Sequence, residues 1–259
     1  MAEETGSLTV HMFPCLQDNY GFLVHDPDSG QTASIDTPDA DAITRELEAR
    51  HWQLTHILNT HHHWDHAGGN LALKQKYNCI IVGAEKDAHR IPGIDVRVQE
   101  GDIYRLGNHE FHVQETPGHT NGHIVYHVPE QHILFAGDTI FSVGCGRLFE
   151  GTPEQMLRSL EKIKRLPENT RIYCAHEYTL KNIQFARTID QANPDLEEYY
   201  DEVRARRNDK LPTIPVTLAR ELKVNPFLRP TDHGIMKNLS AANDKLAAFT
   251  EIRKRKDQF

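Results

Sequence analysis

Hydrophobic and polar residues over the first two thirds of the chain form short runs of the kind that β-strands require. These runs are rich in valine, isoleucine, leucine and phenylalanine, and they are separated by glycine, proline or aspartate. The pattern predicts strands at residues 8–13, 20–25, 32–36, 54–59, 79–82, 96–99, 103–106, 111–115, 124–128, 133–136 and 171–174.

Helices are predicted between some of these strands and through most of the last third. Thr37-Pro38 is typical of an N-cap followed by proline at the first helical position, which predicts a helix as far as Arg50. Thr152 and Gln155 fit a capping box that begins a helix ending near Arg165. The other predicted helices are 71–77, 180–189, 195–208, 218–223 and 241–256.

The change from strands to helices predicts two domains. A mixed α/β domain is expected over residues 1–177, and a smaller helical domain packed on it is expected over residues 178–259. The length of 259 residues accommodates both.

Composition narrows the class of protein. A net charge of -8 disfavours nucleic-acid binding, and no run approaches the ~20 apolar residues of a membrane span. The four cysteines are scattered, and the acidic N-terminus lacks a basic-then-apolar signal, so we expect a cytoplasmic protein. The outlier is histidine, with 17 residues, many of them in clusters. These clusters indicate metal binding.

Side chains of the kind that bind metal ions come shortly after the ends of four predicted strands. Because strand ends present side chains from loops fixed on a rigid sheet, we expect these residues to converge. They are His61, His63, Asp65, His66, His119, Asp138 and His176.

The spacing of these residues predicts two metal ions. In an extended segment residues two apart point the same way, so His61 and His63 are expected to hold one ion, with His119 completing its site. A turn then directs Asp65 and His66 to a second ion, completed by His176. Asp138 is suited to bridge both ions. The nitrogen and oxygen ligand set fits zinc, iron or manganese.

The run His61-x-His63-x-Asp65-His66, with the later histidines and aspartate, resembles the signature of the metallo-β-lactamase superfamily. Within it, the chain is similar almost from end to end to glyoxalase II, the hydroxyacylglutathione hydrolases. Residues 225–227 and 256–259 are the most specific part of the resemblance, since related hydrolases generally lack the helical half. The other matching stretches are 60–70, 136–139, 144–147 and 176–179.

The resemblance implies a four-layer αβ/βα sandwich and cleavage of S-D-lactoylglutathione and related 2-hydroxyacylglutathiones to D-lactate and glutathione, the second step of methylglyoxal detoxification. It implies two divalent ions per chain, zinc first, and a bridging hydroxide as the nucleophile. The catalytic carboxylates would be Asp65 and Asp138, with Asp65 as a ligand and not a general base. We also expect a monomer.

The resemblance further assigns a glutathione site. The residues at the family's contact positions are Arg147, Phe149, Tyr178, Arg253 and Lys256. Two of them depart from the family pattern: Arg147 stands where the family has lysine, and Phe149 stands where it has tyrosine. The reaction is therefore better supported than the details of glutathione binding.

Four other functions are compatible with parts of this pattern. A persulfide dioxygenase needs only one iron, so the complete second ligand set speaks against it. Lactone or β-lactam hydrolysis gives the helical half and its basic tail no role. A nuclease of the same fold is disfavoured by the net charge of -8. A non-catalytic metal-binding protein with the same fold is disfavoured by the intact ligand set.

Overall fold

The computed structural model describes residues 6–239 and 244–259 of the chain. By the contacts within it, the chain divides into two compact units. The first unit comprises Met1–Glu115 with Gly122–Gly137, and the second comprises Thr116–Asn121 with Asp138–Phe259. Within the described residues, no helix is long and apolar enough to cross a membrane.

The first unit begins with a sheet in which the strand order follows the chain order, β1 to β6. The first three strands are antiparallel and the later ones join in parallel. The central strands β3 and β4 are fully buried, as expected for a sheet covered on both faces. The strands are β1 Thr9–Cys15, β2 Asn19–His25, β3 Thr32–Ile35, β4 His56–Leu58, β5 Ile80–Ala84 and β6 Val96–Val98.

Three helices occupy the crossovers of this parallel part, because parallel neighbours cannot be joined by a tight hairpin. They are α1 Ala40–Arg50, the single turn α2 Trp64–Ala67 and α3 Asn70–Tyr77. Ile43 and Leu47 of α1 and Leu73 of α3 belong to one buried core with Leu23 and Ile57 of the sheet.

Four antiparallel strands form the rest of the first unit. Tyr126 and Phe135 are completely buried in β9 and β10, and the ring of Phe135 lies 6.0 Å from that of Phe22 in β2. The two sets of strands therefore share an aromatic core within this unit. The four strands are β7 Ile103–Leu106, β8 His109–Glu115, β9 Ile124–Val128 and β10 Ile133–Gly137.

The second unit is mainly helical. Its short strands are β11 Ile140–Phe141, β12 Gly144–Cys145, β13 Arg171–Cys174 and β14 Val216–Thr217. Strands β11 and β12 form a small hairpin, which we call the Ile140–Cys145 hairpin. The helices are α4 Pro153–Ile163, α5 Thr179–Ile189, α6 Pro194–Asn208, α7 Leu218–Val224, α8 His233–Leu239 and α9 Lys245–Gln258.

The structure contains the predicted elements, but one helix begins later than predicted and several short elements were not predicted. The capping box at Thr152 is present, but α1 begins later than predicted, because the Asp39 carboxylate accepts hydrogen bonds from the backbone N–H groups of Asp41 and Ala42. Helices α2 and α8 and strands β11, β12 and β14 were not predicted. Residues 241–243 of the last predicted helix lie outside the described residues.

Candidate metal centre

The first part of the centre follows strand β4 in the first unit. His61 is completely buried, and its Nε2 atom lies 3.1 Å from Nδ1 of His63. The ring of His123, which is also buried, stacks on that of His61 at 4.7 Å between centroids. The imidazoles of residues 61 and 63, which are predicted to hold one ion, therefore lie side by side, and His123 packs against that of His61.

Asp36 orients His66, the next of the predicted metal ligands. From the sequence alone, Asp36 was not identified as part of the site. This buried aspartate accepts hydrogen bonds from the backbone N–H and the hydroxyl of Thr60, both at 2.7 Å, and it lies 2.8 Å from Nδ1 of His66. A carboxylate on Nδ1 places the proton there and directs the Nε2 lone pair outward. The only available signal was an aspartate at the end of a strand.

Asp36, His61 and His66 form one group whose candidate ligand atoms all lie within 4.8 Å of one another. Asp65 is adjacent, with Oδ2 at 3.5 Å from Nε2 of His66. Its carboxylate accepts a hydrogen bond from the Asn19 side chain at 3.0 Å. Asp65 and His66 are thus each held by a neighbouring polar side chain.

His62 directs one ring nitrogen toward a carboxylate outside the predicted ligand set. Its Nδ1 lies 2.9 Å from the buried carboxylate of Asp87, which also forms an ion pair with Arg90. A Cβ atom at Gly122 would lie 2.2 Å from Cγ of Asp87, so this position cannot carry a side chain without moving Asp87.

The second unit carries the other predicted ligands, and Asp138 lies between two of them. Its Oδ2 is 3.4 Å from Nε2 of His119, and its Oδ1 is 3.4 Å from Nε2 of His176. All three side chains are buried. One carboxylate with a separate imidazole on each oxygen is the arrangement expected of a bridging ligand.

Other groups of this unit orient the two histidines. Nδ1 of His119 lies 2.8 Å from the backbone carbonyl of Arg147, which therefore accepts its proton and directs Nε2 toward Asp138. The ring of His176 stacks on Tyr178 at 4.8 Å with an interplanar angle of 2°.

These distances fit divalent metal binding. Ligand atoms at about 2.0–2.2 Å from a tetrahedral ion are separated by about 3.3–3.6 Å, which matches both Asp138 contacts. The donors are nitrogen and oxygen, and the thiols of Cys145 and Cys174 are buried, which raises their pKa to about 11 and about 12. Neutral thiols are poor ligands, so the donor set suits zinc, iron or manganese.

The residues predicted to bind glutathione differ widely in exposure. The side chain of Phe149 is 61% exposed and meets the ring of His119 edge-on at 5.2 Å, whereas Arg253 is buried and donates to the carbonyl of Cys145 at 2.9 Å. Burial lowers the pKa of Lys256 to about 8, with a further contribution from Arg253. The basic segment at the end of α9 is therefore not simply a solvated tail.

Asp257 links two of these cations. Its carboxylate accepts hydrogen bonds from Nε of Arg253 at 3.1 Å and from Nε of Arg147 at 3.4 Å. Both guanidinium groups are thus held in the second unit by the same acidic side chain.

Comparisons with known proteins agree over the full chain. Residues 28–176 match the family model of the metallo-beta-lactamase superfamily, and residues 177–259 match that of the hydroxyacylglutathione hydrolase C-terminus. The hydroxyacylglutathione hydrolase of Maricaulis maris is 53% identical over 97% of this chain and 99% of its own length. The hydroxyacylglutathione hydrolase of Hyphomonas neptunium is 50% identical over 97% of this chain and 98% of its own length.

Among solved structures, a metallo-beta-lactamase from Staphylococcus aureus is similar in fold, with a TM-score of 0.67 and 23% identity. The match covers 97% of this chain and 72% of that one. The protein therefore has the metallo-β-lactamase fold, with mixed α/β structure and a helical C-terminal region. More narrowly, the chain belongs to the hydroxyacylglutathione hydrolase family, a family of metallo-hydrolases, which confirms the resemblance seen in the sequence.

Proposed function

We propose that this protein hydrolyses S-D-lactoylglutathione and related 2-hydroxyacylglutathiones to the hydroxy acid and glutathione. The observation that carries the proposal is the Asp138 carboxylate with His119 and His176 on its two oxygens, in a chain 53% identical to a hydroxyacylglutathione hydrolase. The second family model supports the choice of a glutathione thioester, since it covers the whole helical C-terminal region.

The proposed metal centre uses the seven residues that the sequence singles out. His61, His63 and His119 would hold one divalent ion, and Asp65, His66 and His176 the other, with Asp138 shared by both. All seven residues lie within the part of the chain, residues 28–176, that matches the metallo-beta-lactamase superfamily. Zinc is the first choice of metal, and iron or manganese fit the same donors.

When bound, two such ions activate water for attack on the thioester and polarise its carbonyl group. Asp36 and the Arg147 carbonyl keep the Nδ1 protons of His66 and His119 in place, so that the Nε2 atoms remain available as ligands. Asp65 acts as a ligand, held by Asn19, and not as a general base. Because a thiolate leaves readily, the reaction requires no strong general acid.

The negative charge of the proposed substrate gives a role to basic side chains of the second unit. The glutathione moiety carries two carboxylates, whereas the protein has a net charge of -8, so local cations must offset the overall field. We assign this role to Arg147, Arg253 and Lys256, with Phe149 and Tyr178 contacting the peptide part. The segment 178–259 is accordingly proposed as the substrate-binding domain of a cytoplasmic monomer.

Thiol release from S-D-lactoylglutathione, with and without a metal chelator, tests the function directly. We expect hydrolysis that the chelator abolishes and added zinc restores, with two ions per chain in the active protein. A metal-loaded, folded protein that releases no thiol would refute the proposal. One iron per chain with oxygen consumption on a glutathione persulfide would favour the dioxygenase instead.

A further inference from the structure

A carboxylate outside the metal centre is buried at the base of the Ile140–Cys145 hairpin. Glu221 of α7 is completely buried, although glutamate is among the residues least often found without solvent. It is not part of the metal or glutathione sites described above. Burial of an ionisable group costs free energy unless hydrogen-bond partners compensate for the lost solvent.

The partners of Glu221 whose donor role is fixed all donate to it. Its Oε2 accepts from the backbone N–H of Val143 at 2.9 Å and from Nδ2 of Asn225 at 2.8 Å. Its Oε1 lies 3.0 Å from the hydroxyl of Ser142, which in turn lies 3.0 Å from the hydroxyl of Tyr199. With Tyr199 donating to Ser142 and Ser142 to Glu221, the set matches the acceptor-only carboxylate form.

These contacts hold the turn of the hairpin in an unusual conformation. Val143 has a φ of 58°, a left-handed value that a β-branched residue rarely adopts. The Asn225 side chain also donates to the carbonyl of Gly144 at 3.0 Å. Glu221 and Asn225, one helical turn apart, thus bind both sides of the turn and compensate for its conformation.

The hairpin connects two elements of the metal centre within the second unit. Asp138 precedes it by two residues, and Arg147, whose carbonyl faces Nδ1 of His119, follows it by two. The join at Gly146 is tight, since a Cβ atom there would lie 2.0 Å from the carbonyl oxygen of Asp138. A shift of the hairpin would therefore displace both a metal ligand and the group that orients another.

We propose that Glu221 is a positioning residue, whose carboxylate fixes the Ile140–Cys145 hairpin and through it Asp138 and the carbonyl that orients His119. Only the kcat and KM measurements that test this role depend on the proposed thioesterase function. The effect of Glu221 on metal affinity follows from the geometry of the second unit alone.

Protonation of Glu221 would weaken this role, because a carboxylic acid turns one acceptor oxygen into a donor. Burial raises the pKa of Glu221 to about 7, while the hydrogen bonds from Val143, Asn225 and Ser142 and the charge of Arg220 act in the opposite direction. The other titratable groups nearby are Tyr199 on α6 and Cys174 on β13. Burial raises the pKa of both, that of Cys174 to about 12, so they stay neutral where Glu221 titrates.

The test compares Glu221→Gln with wild type, and uses Glu202→Gln as the matched control. Glu202 is exposed and pairs with Arg220 at 3.4 Å, so its substitution removes the same charge near α7 without touching the hairpin. We measure kcat and KM from pH 5.5 to 9, and zinc affinity of the metal-free proteins by competition with a chromophoric chelator.

At pH 8 we expect Glu221→Gln to lower kcat and zinc affinity about 10-fold or more, as is typical for groups that orient ligands, with KM changed less than threefold. We expect kcat of the wild type to fall below about pH 7, and Glu221→Gln should lack the part of that decline that is due to Glu221. The control variant Glu202→Gln should stay within twofold of wild type in kcat, KM and zinc affinity. A folded Glu221→Gln protein within twofold of wild type in both kcat and zinc affinity overturns the proposal.

Ser142→Ala keeps the proposal testable if Glu221→Gln does not fold. Losing one donor to the carboxylate should raise the midpoint of the acid limb, and an unmoved midpoint counts against the assignment. If wild type lacks thioesterase activity but Glu221→Gln still weakens zinc binding 10-fold, the proposed function fails and the role of Glu221 stands.

Discussion

Replacing Asp36 with asparagine removes a charge behind the metal ligands while keeping the shape of the side chain. Asp36 has a φ of 57°, a left-handed value that asparagine also tolerates, so the backbone should be unaffected. The oxygen that faces both the Thr60 hydroxyl and Nδ1 of His66, at 2.7 and 2.8 Å, belongs to the carboxylate. An amide NH2 group at this place would donate where the carboxylate accepted.

The consequence should be a change of tautomer at His66. With a donor opposite Nδ1, the imidazole proton moves to Nε2, and the lone pair needed for a metal ion is lost. Restoring the productive tautomer costs the hydrogen bond to a charged acceptor, about 1.5–3 kcal/mol. At about 1.4 kcal/mol for each factor of ten, zinc affinity should fall about 10- to 140-fold.

Competition between metal-free protein and a chromophoric zinc chelator measures this change. Asp209→Asn, at an exposed position after α6, is the control for loss of one negative charge and should bind zinc as wild type does. Circular dichroism establishes that both variants are folded. A folded Asp36→Asn protein with zinc affinity within twofold of wild type would refute the reasoning.

Two further predictions concern stability and substrate binding. Because the pKa of Glu221 is raised from 4.5 to about 7 in the folded state, its contribution to stability is full below pH 4.5 and is lost as pH rises through 7, by up to about 3 kcal/mol. Urea unfolding of metal-free protein at pH 5 and 8 should show this loss, and Glu221→Gln should lack it; equal slopes for the two proteins would contradict the assignment. Phe149→Tyr restores the hydroxyl of the family pattern and, at about 0.5–1.5 kcal/mol for one hydrogen bond, should lower KM about 2- to 10-fold for the glutathione thioester. The same substitution should not change KM for a thioester of a small thiol, and an unchanged KM for both substrates would show that residue 149 does not contact glutathione.

Local patterns predicted most of the fold, because they depend on residues close together in the chain. The strands Ile103–Leu106, Ile124–Val128 and Arg171–Cys174 have the predicted bounds. The errors at helices α1 and α8 also arise from short segments of the chain. At α1, Thr37 and Asp39 are both good caps, and the choice of Asp39 depends on backbone geometry that composition does not show. At α8, the seven-residue helix His233–Leu239 is too short for a periodic pattern to stand out.

The sequence by itself determined the family and predicted the candidate metal ligands. His61, His63, Asp65 and His66 are spaced closely enough for chain geometry to orient them. Only the tertiary structure decided which groups hold these ligands. Asp36 reaches His66 across 30 residues and Glu221 reaches Val143 across 78. Such partners are set by which polar groups are buried together and must satisfy one another, and spacing along the chain carries no record of that.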